Sequence, residues 1–519
     1  MIKKLKFIFK LISWFVKMIY NFKKIKKSNI YLNKNIIVFT VSDLKVASYT
    51  HHLRDLIIAI YLKILGANVY IFYDDSFLEK DGVFEEYNSN YKISLTNIIN
   101  FLFINILIFL FGIKKLTIKK IIYKAKLDFK REINNELQKL KYNFIKDHYY
   151  SSYRRKYRGR EPEYYEEYGK FKNENKLIIL NICTIRIISK LIFKIFNIET
   201  LITTHGIYSL WGPPVDIAKQ LNIKTTIYYC HDSDDNKIYL EKDRAYYEMS
   251  YKKWINFKNL IDKENDKKNE LLKNLQKKFK LNGKINNGNL LPKIKKEYKK
   301  IIGIFPSMLH DYAINERNFI FNSTIDWIIH IIDFCYKNNY YLIIREHPDS
   351  YEFFKEKDSI KNILKENNIF LENFSNIYLI NSFDKLSSYH IINKIIDLGV
   401  LYDGTLSMEI PLLDCPTIIA ANSRYKDKEF TYSFDNIQEY ENLLFSLDKK
   451  YHRKKLKIHK KNALEEYFYE HNFKGNFFPF RVLGSEMKRR KQEKFYTLEL
   501  DKIDFNINKN LLNTLKEIG

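Results

Sequence analysis

The chain has 519 residues, more than one average domain holds, and its 46% hydrophobic content allows a sizeable core. Its 88 basic and 61 acidic side chains leave a formal net charge of +27, which favours anionic partners such as phosphates, nucleic acid or anionic lipid. Four scattered cysteines, Cys183, Cys230, Cys335 and Cys415, form no CxxC or Cys/His cluster; this argues against disulfides and structural zinc and fits a reduced cytoplasm.

The N-terminus, "MIKKLKFIFKLISWFVKMIYNFKKIKK", carries nine lysines and no acid. Lys3, Lys10, Lys17 and Lys24 recur every seven residues, with Leu5, Ile8, Ile12, Phe15, Ile19 and Phe22 on the other side. This pattern predicts a basic amphipathic helix over residues 1–30, suited to lie on an anionic bilayer. A Lys-rich surface helix is the alternative. The longest uncharged run there is too short to span a membrane.

"NIIVFTVS" reads as a strand, "THHLRDLIIAIYLKILG" as a helix and "NVYIFYDD" as a second strand. Such a β-α-β unit makes a parallel sheet. Residues 76–195 read as a mostly helical insertion. Within it, "ISLTNIINFLFINILIFLFGI" (93–113) is uncharged and long enough to span ~30 Å. Strands before and after it look like one sheet, which a single span would divide. The run is therefore expected as a buried helix or as an element dipping into a membrane interface.

The strand "TLITTH", the helix "PVDIAKQLN" and the strand "TTIYYCHD" complete a Rossmann-like N-terminal domain over 31–250. Residues 251–298, charged and without a strand signal, suit helices or a charged interdomain linker. "KKIIGIFPS", "YYLIIREHP", "IYLIN", "IIDLGVLYDG" and "PTIIAAN" are strands of a second Rossmann-like domain over 299–450, followed by a helical tail over 451–519. The expected fold class is α/β, with two Rossmann-like domains facing a cleft. Ligands of open parallel sheets bind beyond the carboxyl ends of the strands, where the informative motifs fall.

"TTHGIYSLWGPP" places His205 at a strand end, as a base, a phosphate ligand or a loop cap, with Gly212-Pro213 opening a helix. "REHPDS" offers Arg345 and His347 as phosphate donors. "FPSMLHDYAI" puts Ser307, His310 and Asp311 in a loop on the same edge. In "YDGTLSMEIPLLDCP", Gly404 permits close ligand approach, Thr405 starts a helix as its N-cap, and free helix amides suit an anion. Glu409, in an apolar helix, needs a hydroxyl or cation partner, and a ribose diol would serve. Asp403 could orient Thr405 or face solvent. "YDD" (73–75) and "HDSDD" (231–235) are not diagnostic of a metal. GxGxxG, GxxxxGK[ST] and recognised nucleic-acid modules are absent.

In order, "THGIYSLWG", "FPSMLHDYA", "REHP" and "GTLSMEIPLLDCPTIIAANSRYKDKEFTY" resemble bacterial capsule and surface polysaccharide glycosyltransferases of the GT-B fold, including Kdo-transferase-like members. The resemblance covers roughly 195–235 and 299–435. It implies a nucleotide-sugar donor on the C-terminal domain, held by His347, Gly404, Thr405, Ser407 and Glu409, and an acceptor on the N-terminal domain. No cofactor or bound metal is implied.

The expected activity is sugar transfer to a lipid-linked or polysaccharide acceptor, on the cytoplasmic face of a bacterial membrane. The base is His205 first, Asp232 second and His52 third. Arg345 adds to the donor set. The alternatives are a CDP-polyol phosphotransferase of the teichoic-acid type and a non-catalytic scaffold of a polysaccharide assembly complex.

Overall fold

The computed structural model describes residues 19–25, 29–40, 49–75, 95–139, 146–157, 173–229, 237–241, 265–283, 298–309, 319–348, 359–384, 386–426, 428–450, 453–472, 476–477 and 509–518, with isolated positions at 9, 12–13, 16–17, 77–78, 83 and 350. The chain forms two compact units. The first comprises Met1–Lys156, Glu163–Glu248 and Gly475–Gly519; the second comprises Tyr157–Pro162 and Met249–Lys474.

The first unit runs β1 (Asn35–Phe39), α1 (Tyr49–Ile64), β2 (Asn68–Tyr73), α2 (Leu95–Leu110), β3 (Lys114–Thr117), α3 (Ile118–Ala125), α4 (Phe129–Lys139), α5 (Lys146–Lys156), α6 (Asn173–Ile195), β4 (Thr200–Thr204), α7 (Tyr208–Gln220), β5 (Lys224–Tyr229) and β6 (Lys237–Glu241). The second runs α8 (Asn265–Gly283), β7 (Ile301–Ile304), α9 (Thr324–Lys337), β8 (Tyr341–Arg345), α10 (Ile360–Glu366), β9 (Ile377–Ile380), α11 (Ser388–Lys394), β10 (Leu398–Leu401), α12 (Leu406–Leu412), β11 (Thr417–Ile419), α13 (Ile437–Ser446) and α14 (Arg453–Asn472). The chain then returns to the first unit as β12 (Asn476–Phe477) and α15 (Lys509–Ile518).

The two sheets have the orders β12-β6-β5-β4-β1-β2-β3 and β11-β10-β7-β8-β9. The five strands from β5 to β3, and all five of the second sheet, are parallel. Each sheet therefore grows outward from its first strand, returns, and grows the other way. That is the Rossmann winding expected from the sequence, with the reversal between β1 and β4 in one unit and between β7 and β10 in the other.

In the second unit the helices change faces at the reversal. Ile302, Ile304, Leu342 and Ile344 pack with α9 and α10 on one face. Ile343 and Leu401 pack with Ile391 of α11 and Ile410 of α12 on the other. Each such buried aliphatic side chain contributes roughly 1.5–3 kcal/mol. In the first unit, α1 is buried almost all round from Leu56 to Leu62, and Leu511, Leu515 and Ile518 of α15 close the same core.

Several boundaries differ from the sequence expectation. The 76–195 stretch is not purely an insertion, because β3 pairs with β2 at the sheet edge. Its Lys114 and Lys115 hid it from a hydrophobicity reading; lysines are common on edge strands. The 93–113 run is α2, with Ile104, Leu107 and Ile108 in the core. Of the two readings of 251–298, the helical one holds at α8, whose Leu275 and Phe279, four residues apart, pack into the second unit. The tail divides, α14 joining the second unit and α15 the first. Among the described residues no helix is long and apolar enough to cross a membrane.

The helix after β4 begins at Tyr208, before Gly212-Pro213 rather than at it. Gly212 is there for a close approach. A Cβ on it would lie 2.1 Å from Nδ1 of His148. The His148 ring is buried and anchored to Asp216 by a 2.7 Å contact through Nε2. Gly212→Ala is therefore expected to destabilise the protein by about 1–3 kcal/mol, the usual cost of overpacking a core. Urea unfolding of the single variant and of Gly212→Ala with His148→Ala checks this: truncating the histidine should recover part of the loss.

Candidate active site

Parallel sheets hold ligands where the winding reverses, beyond the strand ends. In the second unit that edge is made by the residues following β7 and β10. Ser307 follows β7 and is half-buried. Gly404 follows β10 with φ +131°, and a Cβ placed on it would meet nothing within 4 Å among the described residues. The backbone thus turns in a conformation that suits glycine, beside open space.

Thr405 occupies the N-cap position of α12, but its hydroxyl makes no capping bond. Ser407 Oγ instead donates to Gly404 O at 2.6 Å. Asp403 does neither of the things expected of it. Its Oδ1 accepts from Gly404 N at 2.7 Å and from the Ser423 hydroxyl at 2.6 Å. The Gly404 turn is therefore tied to the loop after β11.

β8 delivers Arg345 and His347 to the neighbouring edge. Arg345, expected to donate to phosphate, is buried and donates to the carbonyls of Asn381 and, at 3.0 Å, Asp384. It latches a turn. Its neighbour Glu346, which no sequence motif marks, accepts from Ile360 N and Ser382 N, both at 2.9 Å, and fastens α10 and the same turn. His347 is half-buried at the strand end.

Glu409 has its hydroxyl and its cation from within the chain. Oε1 accepts from Lys278 Nζ at 2.9 Å, and Oε2 accepts from Tyr389 Oη at 2.9 Å. The carboxylate is mostly buried. Desolvation alone would lower the Lys278 ammonium; the Glu409 charge and hydrogen bond outweigh it and hold its pKa above the ordinary lysine value. Desolvation, then Glu409, pushes the Tyr389 phenol up. Lys278 and Tyr389 were not legible as partners, since they lie 131 and 20 residues from Glu409 and on other helices.

Behind this edge, α14 braces the loop after β11. Arg424 Nη2 lies 3.1 Å from Glu470 Oε1. Lys428 Nζ lies 2.6 Å from Glu466 Oε1, with both side chains almost fully buried. Ser423 then connects this brace to Asp403 and Gly404.

His205 belongs to the other unit, at the carboxyl end of β4 beside the reversal between β1 and β4. Asp55, in the apolar helix α1, accepts from the Tyr228 hydroxyl at the end of β5. Burial lifts the Asp55 carboxyl from 3.8 to about 7, against hydrogen bonds from Tyr228 and Thr40 and the charge of Arg54. Burial, then Arg155, then Arg54, lowers His205 from 6.5 to about 3. The ring is neutral at pH 7 and is a weak base as it stands. Of the other expected residues, Asp232, His310 and Asp311 lie outside the described residues, as does the side chain of His52, which falls in the first turn of α1.

These shifts have opposite signs in stability. Asp55 binds its proton more tightly when folded, so its contribution is full below pH ~4 and is lost as the pH rises towards about 7. His205 contributes fully above pH ~6.5, and that contribution is lost as the pH falls towards about 3. Asp55→Asn removes only the first. Relative to wild type, the variant should gain stability between pH ~4 and ~7, by on the order of a few kcal/mol. Urea unfolding across that range checks the direction.

No protein-family model matches the sequence, and no curated protein is detectably similar to it. Among solved structures, the chain is similar to UDP-GlcNAc 2-epimerase from Neisseria meningitidis bound to UDP-GlcNAc, at 10% identity and a TM-score of 0.27, covering 84% of this chain and 98% of that one. It is similar to α,α-trehalose 6-phosphate synthase from Burkholderia multivorans at 8% identity and a TM-score of 0.30, covering 85% and 98%. It is also similar to the glycosyltransferase SnogD from Streptomyces nogalater, at 6% identity and a TM-score of 0.20, covering 83% and 95%. At such scores the likenesses carry no argument about activity, and the two α/β units rest on their own strand orders.

Proposed function

We propose that the protein is a glycosyltransferase that takes a sugar from a nucleotide donor held at the carboxyl edge of the second sheet. The observation that carries this reading is Gly404: a left-handed turn beside open space, at the reversal between β7 and β10. A diphosphate there would meet the amides of Thr405 and Leu406, the first-turn donors not bonded to Asp403 or Gly404, and the Ser307 and Thr405 hydroxyls lie on the same edge. Each carboxylate oxygen of Glu409 has a second lone pair, so a ribose diol can share it with Lys278 and Tyr389. His347 would stabilise the leaving phosphate.

The first unit would hold the acceptor, a lipid-linked or polysaccharide chain of the capsule type. A calorimetric panel of nucleotide sugars and CDP-polyols tests the class. Binding of a nucleotide sugar supports transfer of a sugar; turnover of a CDP-polyol alone would replace this reading with phosphotransfer. Binding of neither would leave the scaffold.

Peripheral attachment to an anionic membrane, on its cytoplasmic side, fits the same reading. Phe22 packs on Tyr61 and Phe111, which seats the N-terminal helix beside the end of α2. Val16 and Tyr20 of that helix are exposed, as are Leu102, Ile106, Phe109 and Leu110, one face of α2. Lys17, Lys23, Lys24, Lys114, Lys119 and Lys120 are exposed on the same segments or just after them. Exposed apolar side chains with lysines on the same and following segments suit anionic headgroups. Phe109→Glu should weaken binding to phosphatidylglycerol vesicles by roughly tenfold, since burying one aromatic side chain is worth ~1.5–3 kcal/mol. Co-sedimentation equal to wild type would remove α2 from the contact.

A further inference from the structure

The carboxyl edge of the first sheet carries a second cluster, independent of the nucleotide reading. The turn after β4 is strained: His205 and Tyr208 have φ of +57° and +68°, left-handed values that cost a non-glycine residue free energy and gather at functional sites. The turn is fixed by its rings. The His205 ring lies 5.0 Å from that of Trp211 and 6.2 Å from that of Tyr208. Trp211 Nε1 donates to Thr40 O at 3.2 Å, which pins the indole to the end of β1.

Two cations reach this edge from separate helices. The Arg155 guanidinium of α5 sits 5.3 Å over the Tyr208 ring, a packing that orients it. Arg54 of α1 is next to Asp55, whose carboxyl is bonded to the Tyr228 hydroxyl at the end of β5, so Arg54 starts from the same edge. Its Nε is buried with no hydrogen-bond partner among the described residues. Both arginines act on His205 through their charge.

We propose that Arg54 and Arg155 form a phosphoryl-binding site beside His205, at the reversal between β1 and β4. The guanidinium fork matches phosphate geometry, and two forks from different helices can grip a tetrahedral dianion from two sides. One fork would already saturate a carboxylate, so a phosphate ester or diphosphate is the better fit. Neutral His205 adds one N–H donor. A bound dianion also offsets the two charges that depress the imidazole, so occupancy brings His205 back towards the range of a working base.

The test uses the full chain and three probes: inorganic phosphate, glucose 1-phosphate and UDP. Calorimetry gives affinities for wild type, Arg54→Gln, Arg155→Gln and the surface control Lys219→Gln. Both arginine variants should bind phosphate about tenfold or more weakly, as expected for loss of a charge-assisted pair, while the control binds as wild type. The His205 ring, followed by NMR, should titrate at a higher pH when phosphate is present. If Arg155→Gln weakens glucose 1-phosphate but leaves UDP binding intact, the phosphoryl group comes from a phosphorylated acceptor; if UDP weakens too, it comes from the nucleotide. Should Arg155→Gln not fold, Arg54→Gln and the His205 titration decide. Absence of phosphate binding by the wild-type chain, or binding by both variants as tight as wild type, overturns the site. Either result leaves donor binding by the second unit as a separate measurement.

Discussion

Replacing Lys428 by Ala is expected to lower the stability of the second unit by roughly 3–5 kcal/mol, the cost of stranding one member of a buried ion pair. Lys428 and Glu466 are 2% and 0% exposed and 2.6 Å apart. Burial pulls the Lys428 ammonium below the ordinary lysine value, and the Glu466 charge only partly offsets it. Without the lysine, Glu466 either keeps an unpaired charge or takes up a proton. The loop after β11 would loosen with it, since Ser423 links that loop to Asp403. Urea unfolding read by hydrogen exchange of the β10 and β11 amides should show the loss there first. A change below about 1 kcal/mol would place the pair among those of little net worth. Replacing both partners by Met and Leu should restore most of the stability, because well-packed apolar groups often match a buried pair.

Gly404→Val is expected to leave the second unit folded and to weaken nucleotide-sugar binding by roughly 10- to 100-fold. Two effects add. The φ of +131° is unfavourable for a branched residue by about 1–3 kcal/mol. The new side chain also fills space that is open in the protein, where a phosphate would approach. The strain should lower the melting temperature modestly, and the loss of affinity should come from the filled space. Glu409→Gln provides the contrast. It leaves Lys278 facing a neutral amide, so it should weaken both ribose recognition and the packing of α8. A Gly404→Val protein that binds donor as wild type does would move the phosphate away from this turn.

The strands were legible where burial on both faces produced continuous apolar runs. "NVYIFY" became β2 at the expected residues, and "YLIIR" became β8. The parallel pairing of β5 to β3 and of the second sheet followed from the alternation of strands and helices. β3 was not legible, because an edge strand bearing two lysines has no apolar run. The partners of Glu409 were hidden for a different reason: a lone acid in an apolar helix announces that it has a partner, but not which one. The same signal was present at Asp55 in "HHLRDLIIAIY" and would have found it. The latch that Arg345 makes was not legible, since the carbonyls of Asn381 and Asp384 come from a turn that local sequence does not place beside it. The clash between His148 and any side chain at 212 is purely tertiary.

A crystal structure of the full chain with a bound nucleotide sugar decides whether the nucleotide sits at the reversal between β7 and β10. The diphosphate is expected within hydrogen-bond distance of the amides of Thr405 and Leu406, and the ribose against Glu409. Nucleotide density elsewhere on the chain, with this edge vacant at saturating ligand, would contradict it.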